Sequence, residues 1–195
     1  MKKILVIQAN PKADSFCRSL AEKYVEGVTK AGHEVKTLVL TDLDLEQFVK
    51  HDYKEHLVLP KDLLHAQELI SWSDHLVFVY PVWWGTPPAL LKVFVEVVFQ
   101  SGFAYKYQES TGMAPKWDKM LADKSARVIV TMDSPTWYHT WFVGDPGFKM
   151  MKNSILNFCG VSPVQKSYFG SVKMSSEKQR KEWLEKSYAI GLHEK

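Results

Sequence analysis

The chain has 195 residues and 46% of them are apolar, which supplies the core of one domain without disulfides or structural metal. Its 25 Lys and Arg against 22 Asp and Glu leave a formal charge of +3, too small and too evenly spread to mark a nucleic-acid or membrane footprint. Cys17 and Cys159 form no C-x-x-C, only four apolar residues, Ile4 to Ile7, follow Met1-Lys2-Lys3, and no apolar run reaches the roughly 20 residues of a membrane span, so no disulfide scaffold, zinc knuckle, signal peptide or transmembrane segment is signalled, and a reduced, cytoplasmic protein is expected.

Lys3 to Gln8 is a short, largely β-branched run without helical period and reads as a strand buried on both faces. From Asp14 an apolar stripe at Phe16, Leu20, Tyr24 and Val28 predicts an amphipathic helix, with Asp14 as its N-cap and Gly32 as its stop. Glu34 to Leu40 alternates as a second strand, completing a β-α-β unit with a right-handed crossover. The charged stretch Thr41 to His56 reads as a surface excursion, and Lys61 to Ser71 as a helix. His75 to Tyr80 is a third strand, followed by a helix from Pro88 to Gln100 with Gly102 as its stop. Arg127 to Met132 is a fourth strand, Pro146 to Phe158 a helix ended by Gly160, Val164 to Phe169 a fifth strand and Glu177 to Ile190 a terminal helix. Five alternations without an internal repeat predict one domain over residues 1–195, a doubly wound α/β sandwich around a five-stranded parallel sheet.

Such sheets bind ligands beyond the carboxyl ends of their strands, which points to the loops Gln8 to Ser15, Tyr80 to Thr86 and Thr131 to Tyr138. The first has no glycine, so neither a dinucleotide fingerprint nor a phosphate loop of the G-x-x-x-x-G-K-[ST] type is present. A helix N-terminus with Ser15 and a nearby Lys12 suits a phosphate, and equally a plain helix cap by Asp14 and Ser15. In the second loop Trp83 and Trp84 are adjacent at a strand end, where two indoles cannot both enter the core; a flat aromatic ligand or packing under the next helix would explain them. The third adds Trp137, Tyr138, His139 and Trp141, with Tyr138 and His139 as the nearby acid/base candidates. The Pro88 to Gln100 helix is apolar over most of its circumference, which fits either a twofold dimer contact or a wholly internal helix. No G-x-S-x-G elbow exists, and His51 and His56 lack the H-E-x-x-H spacing, so a hydrolase and a metal enzyme are unsupported.

Tyr80-Pro81-Val82-Trp83-Trp84-Gly85-Thr86-Pro87-Pro88-Ala89-Leu90-Leu91-Lys92, closing on Gly102-Phe103-Ala104-Tyr105, together with Asn10 to Phe16 and Asn157-Phe158-Cys159-Gly160, resembles the flavodoxin-like NAD(P)H:quinone oxidoreductases and their bacterial quinone-reductase and drug-modulator relatives. The resemblance covers most of the chain and implies a flavodoxin-like three-layer sandwich with strand order 2-1-3-4-5. It implies a flavin, FAD ahead of FMN, that takes hydride from NAD(P)H and passes two electrons to a quinone or similar acceptor in a ping-pong cycle. Carried over by residue, Asn10, Ser15, Phe16 and Cys17 would hold the phosphate end. Pro81, Val82, Trp83, Trp84 and Gly85 would line the isoalloxazine edge, while Thr131, Met132, Asp133 and Tyr138 would face its pyrimidine side. Tyr138 and His139 would serve in proton transfer, His139 standing in for a relay histidine whose place is taken by Gly144. Met132-Asp133 replaces a glycine pair of many members, and an ionised Asp133 beside the ring would lower the flavin potential. From its apolar circumference, the Pro88 to Gln100 helix is expected to carry a homodimer contact. Two other functions use similar sequences: a flavin-binding regulatory subunit of a potassium-efflux system, and a one-electron carrier, the latter disfavoured by the +3 charge.

Overall fold

Ile4, Leu5, Val6 and Ile7 offer no polar side chain to solvent, and all four are fully buried at the centre of a sheet. The computed structural model describes residues 1–48, 58–109 and 115–194. Seven strands occur among the described residues: β1 (Lys3–Gln8), β2 (Glu34–Val39), β3 (His75–Pro81), β4 (Tyr105–Tyr107), β5 (Trp117–Lys119), β6 (Ser125–Thr131) and β7 (Val164–Phe169). Five of them form one parallel sheet in the order β2-β1-β3-β6-β7, which is the expected 2-1-3-4-5 order once the small β4-β5 hairpin is set aside. The chain has the flavodoxin-like α/β architecture.

The helices are α1 (Phe16–Lys30), α2 (Lys61–Trp72), α3 (Ala89–Val98), α4 (Thr136–Trp141), α5 (Pro146–Lys149), α6 (Asn157–Cys159) and α7 (Glu177–Leu192), with a π-helical segment Met150–Leu156 joining α5 to α6. Alternation along the strands divides them between two cores. Leu5, Ile7, Phe78, Tyr80, Val128 and Val130 face α2, α3 and the 146–159 run, whereas Ile4, Val6, Val77, Val79 and Ile129 face α1 and α7. The second pair of helices approaches to backbone contact. A Cβ at Gly27 would lie 2.1 Å from Tyr188 O, and one at Gly191 would lie 2.2 Å from Tyr24 O, so only glycine fits at either position.

Several expectations are corrected. Ser15, not Asp14, caps α1: its Oγ accepts the Arg18 amide at 3.3 Å, whereas Asp14 is exposed one residue further out. The helix expected over Pro146 to Phe158 is interrupted by seven π-helical residues, a change of hydrogen-bond step that apolar spacing does not report. The third loop contains α4, six residues whose two tryptophans, tyrosine and histidine show no amphipathic period. Within the excursion Thr41 to His56, short 3-10 turns cover Leu40–Asp42 and Glu46–Phe48, and His51 and His56 lie outside the described residues. In α3, Leu91, Phe94, Val95, Val97 and Val98 are buried in the domain's own core, leaving Leu90 and Val93 half-buried and Lys92 paired with Glu96 on the outside. Among the described residues no helix is long and apolar enough to cross a membrane.

At the amino edge of the sheet the chain folds back so that Glu194 becomes buried. Its carboxylate accepts from Arg127 Nε at 2.6 Å and Tyr24 OH at 2.8 Å, and lies 3.6 Å from His75 Nε2. Burial alone would raise the Glu194 pKa, but the Arg127 bond, His75 and Tyr24 outweigh it and hold the carboxyl below its usual range. Burial acts in the other direction on His75, pushing its imidazole down to about 4. The unfolded chain therefore takes up a proton near pH 6.5 that the folded chain refuses until about pH 4, and stability falls as pH falls across that window. The loss expected is about 3 kcal/mol. Urea denaturation from pH 7 to 4 should show this decline, and His75→Gln should flatten it; Glu194→Gln should cost about 3 kcal/mol at pH 7.

Candidate functional site

The carboxyl ends of β1, β3 and β6 release three loops at one edge, on neighbouring strands. In the first, Asn10 Oδ1 accepts the Lys12 amide at 2.9 Å, a local turn that brings the chain round to Ser15 and the start of α1. The amides of Phe16 and Cys17 belong to the first turn of α1 and have no intrahelical acceptor. Beside them is a small cavity of about 120 Å³ whose polar lining includes Asn10, Lys12, Ser15 and Arg18. The Cys17 thiol closes its inner end, buried and 3.0 Å from Thr131 Oγ1, which ties the first loop to the third. Burial pushes the Cys17 thiol up, so it is a neutral hydrogen-bonding group at this point. On the other side of Ser15 an open groove of about 420 Å³ runs along Phe16, Ser19 and Glu22 to Arg180 of α7. The Arg180 guanidinium lies 5.8 Å from the Phe16 ring, and Trp183 packs against the same ring at 5.9 Å.

The second loop is a two-residue turn. Trp83 N–H donates to Thr86 O at 2.9 Å and Thr86 N–H returns to Trp83 O at 3.1 Å, with Trp84 (φ 52) and Gly85 (φ 83) both left-handed between them. Glycine adopts that conformation freely; tryptophan does so at a cost of about 1–2 kcal/mol. No packing offsets that cost, since the Trp84 side chain is fully exposed. The amides of Trp84 and Gly85 donate to no backbone or side-chain acceptor among the described residues. Pro81 and Val82 are half-buried at the base, where Val82 N–H donates to Thr131 O at 2.8 Å. From behind, Gly147 packs against the turn so closely that a Cβ there would lie 3.0 Å from Gly85 O.

In the third loop Thr131 and Met132 are buried, Met132 N–H bonding to Phe169 O at 2.9 Å. The Asp133 carboxylate accepts the Lys173 amide at 3.0 Å, so it is committed to the turn after β7. Tyr138 is 46% exposed, its ring stacked on Phe142 at 5.7 Å, with Trp137 perpendicular to both. His139 goes the other way. It is 3% exposed with Nε2 3.5 Å from Asp145 Oδ1, and Asp145 also accepts from Lys166 Nζ at 2.6 Å and Tyr168 OH at 2.5 Å. Burial and the Asp145 charge raise the Tyr168 hydroxyl pKa, keeping it a donor.

The structure thus brings Asn10, Ser15, Phe16, Cys17, Pro81, Val82, Trp83, Trp84, Gly85, Thr131, Met132, Asp133 and Tyr138 to one edge. It does not bring His139 to the open face of Tyr138, nor the Asp133 carboxylate free of the backbone; the Asp145 and Lys173 contacts hold each elsewhere. Arg18, Arg180 and Asp145 were not read from the sequence. Arg18 was within reach, one turn into α1, but Arg180 reaches the edge only through the docking of α7 on α1. Chemically the edge offers unpaired amides at a helix start, unpaired amides at an aromatic turn, and one exposed phenol: a phosphate holder joined to a flat slot.

A family model described as flavodoxin-like fold matches residues 2–189. An NAD(P)H oxidoreductase of Haemophilus influenzae, itself termed uncharacterized, is 27% identical over 188 residues, covering 93% of this chain and 90% of that one. An FMN-dependent NADH:quinone oxidoreductase of Caldicellulosiruptor saccharolyticus is 30% identical over 180 residues, covering 85% and 84%. Among solved structures, the NAD(P)H:quinone oxidoreductase from Methanothermobacter marburgensis superposes with a TM-score of 0.80 at 23% identity, covering 100% of this chain and 99% of that one, a likeness of fold. The strained turn has its own check. Trp84→Asn, a residue that tolerates the left-handed region, should raise the stability of the ligand-free protein by about 1 kcal/mol in thermal or urea unfolding.

Proposed function

The chain belongs to the flavodoxin-like NAD(P)H:quinone oxidoreductase family and is an oxidoreductase, and from that premise we propose that it is a flavin-dependent, ping-pong reductase of quinones and related planar acceptors. The observation that carries this is the second loop: a tryptophan held in a left-handed conformation without packing support, with two adjacent amides left unpaired. A left-handed non-glycine residue without packing support is retained where a ligand takes up its strain, and the two amides, open to solvent, are free to bond one. A bound flavin supplies hydride acceptance from NAD(P)H and two-electron delivery to the acceptor.

The protein's own residues then divide the work. The Phe16 and Cys17 amides, with Ser15, Asn10 and Lys12, hold the phosphate end against the α1 dipole. The Trp84 and Gly85 amides would bond the polar edge of the ring system, and Pro81, Val82, Trp83 and the Trp84 indole would exclude water from its face. Thr131, Met132 and Asp133 bound the pyrimidine side. With its carboxylate bonded to the Lys173 amide, Asp133 would present no free side-chain charge to the ring. Tyr138, exposed and stacked on Phe142, donates a proton to the acceptor oxygen. His139 serves through Asp145, fixing α4 beneath Tyr138.

The groove from Ser15 to Arg180 supports FAD, since it offers a cation and an aromatic ring beyond the phosphate end, where FMN has nothing to place. The relative of Caldicellulosiruptor, described as FMN-dependent, supports the smaller cofactor for that protein. A homodimer over the outer face of α3 belongs to the same reading. It is supported by the half-buried Leu90 and Val93 and by the neighbouring groove of about 280 Å³ between Val95, Phe99, Tyr107 and Ile155. The enzyme would work in the cytoplasm, where nicotinamide donors are made available.

The visible spectrum of the purified protein tests the proposal. Flavin bands should bleach on anaerobic NAD(P)H and return with a simple quinone, and extraction should yield FAD. A flavin that neither NADH nor NADPH reduces would overturn the reductase reading in favour of a regulatory flavoprotein. Tyr138→Phe should keep the flavin and lower kcat about tenfold to hundredfold in stopped-flow reoxidation by quinone.

A further inference from the structure

Behind the second loop, where Gly144 (φ 83) and Asp145 (φ 57) turn the chain out of α4, lies a cleft of about 260 Å³ that the reading above leaves unused. Three lysines line it: Lys149, Lys152 and Lys166. Lys166 Nζ is 2.6 Å from Asp145 Oδ2, and that carboxylate is further occupied by Tyr168 OH. Lys149 and Lys152 have no carboxylate partner among the described residues, although other surface lysines such as Lys23 and Lys92 do. Phe148 gathers two of the ammonium groups over its ring, Lys166 at 4.8 Å and Lys152 at 5.8 Å, and Lys149 Nζ sits across the cleft beside Gly144. Three like charges this close repel one another, and the single carboxylate leaves a surplus of two. The Asn153 amide and the Thr140 hydroxyl add neutral donors on the same lining.

A surplus of two positive charges with neutral donors around it matches a phosphomonoester dianion. The position narrows its source. Gly147, between Asp145 and Lys149, packs on Gly85 and Thr86, so the cleft lies on the outer side of the wall that carries the aromatic turn. We infer that this cleft binds the 2′-phosphate of the nicotinamide donor, which makes the protein selective for NADPH over NADH. The inference rests on the reductase reading for the donor's identity, while the cleft itself is a separate set of residues.

The test compares kcat/KM for NADPH and NADH in the wild type, in Lys149→Gln, in Lys152→Gln and in the double variant, with folding checked by thermal melting. The wild type should favour NADPH, each single variant should lower the NADPH to NADH ratio about tenfold, and Lys→Arg at the same positions should restore it. The ratio should also fall as salt rises. Equal use of the two donors by the wild type, or an unchanged ratio in the double variant, overturns the inference and leaves the reductase reading intact. Calorimetry with adenosine 2′-phosphate, adenosine 5′-phosphate and inorganic phosphate needs no turnover. Binding of the 2′-phosphate alone, lost in the double variant, supports the cleft even if neither donor reduces a flavin, in which case the reductase reading fails by itself. Binding of inorganic phosphate as tightly as the nucleotide, or of none of the three, overturns it.

Discussion

Five strands that all run the same way must all end on the same edge, and that constraint creates the site before any particular residue does. Each right-handed crossover returns the chain to the amino edge, so the segments after β1, β3 and β6 emerge side by side, at the ~4.8 Å spacing of neighbouring strands. Residues 10, 84 and 138 meet because of the sheet order and not because of any local attraction between them. The direct ties are few: Cys17 to Thr131, Val82 to Thr131, and Gly147 against Gly85. They fix how far apart the loops stand, and hence the width of whatever lies between them.

The two edges of the sheet are treated in opposite ways. At the amino edge Glu194 is bonded to Arg127 and Tyr24 with the His75 ring 3.6 Å away, and Lys124 closes the end of α2 through Ser71 O and Ser73 O. At the carboxyl edge amides stay unpaired, a tryptophan is held left-handed, and Trp84, Trp141 and Phe142 stand in solvent. Each of these would be removed by a sequence optimised for stability alone. Their concentration at one edge, with the compensating contacts at the other, is how a domain keeps a reactive surface without losing its fold.

What could be read beforehand follows from how local the determining interaction is. β1 and β7 were legible to the residue, because a run such as Ile4 to Ile7 or Val164 to Phe169 has no helical period and is bounded by loop residues. The π-helical step at Met150 was not, since it changes hydrogen bonds and leaves the apolar spacing nearly unaltered. Asn10, Ser15, the Trp83-Trp84 pair and Tyr138 could be chosen from strand ends and residue type. The direction of His139 could not, because it is set by Asp145, a residue whose left-handed backbone and burial depend on contacts from β7. Asp133 is the same case, drawn to the Lys173 amide by a turn forty residues later.

The glycine seam between α1 and α7 has a temporal consequence. Gly27 and Gly191 meet across more than 160 residues of chain, so the helix bearing Arg180 and Trp183 docks on Phe16 only after almost everything between has been made. During synthesis the β1-α1-β2 segment emerges early, whereas α7, which walls the groove beside Ser15, emerges late. The groove beside Ser15 is complete only once α7 has docked on α1. Closure of that groove therefore reports completion of the domain, because it joins the first helix to the last described one.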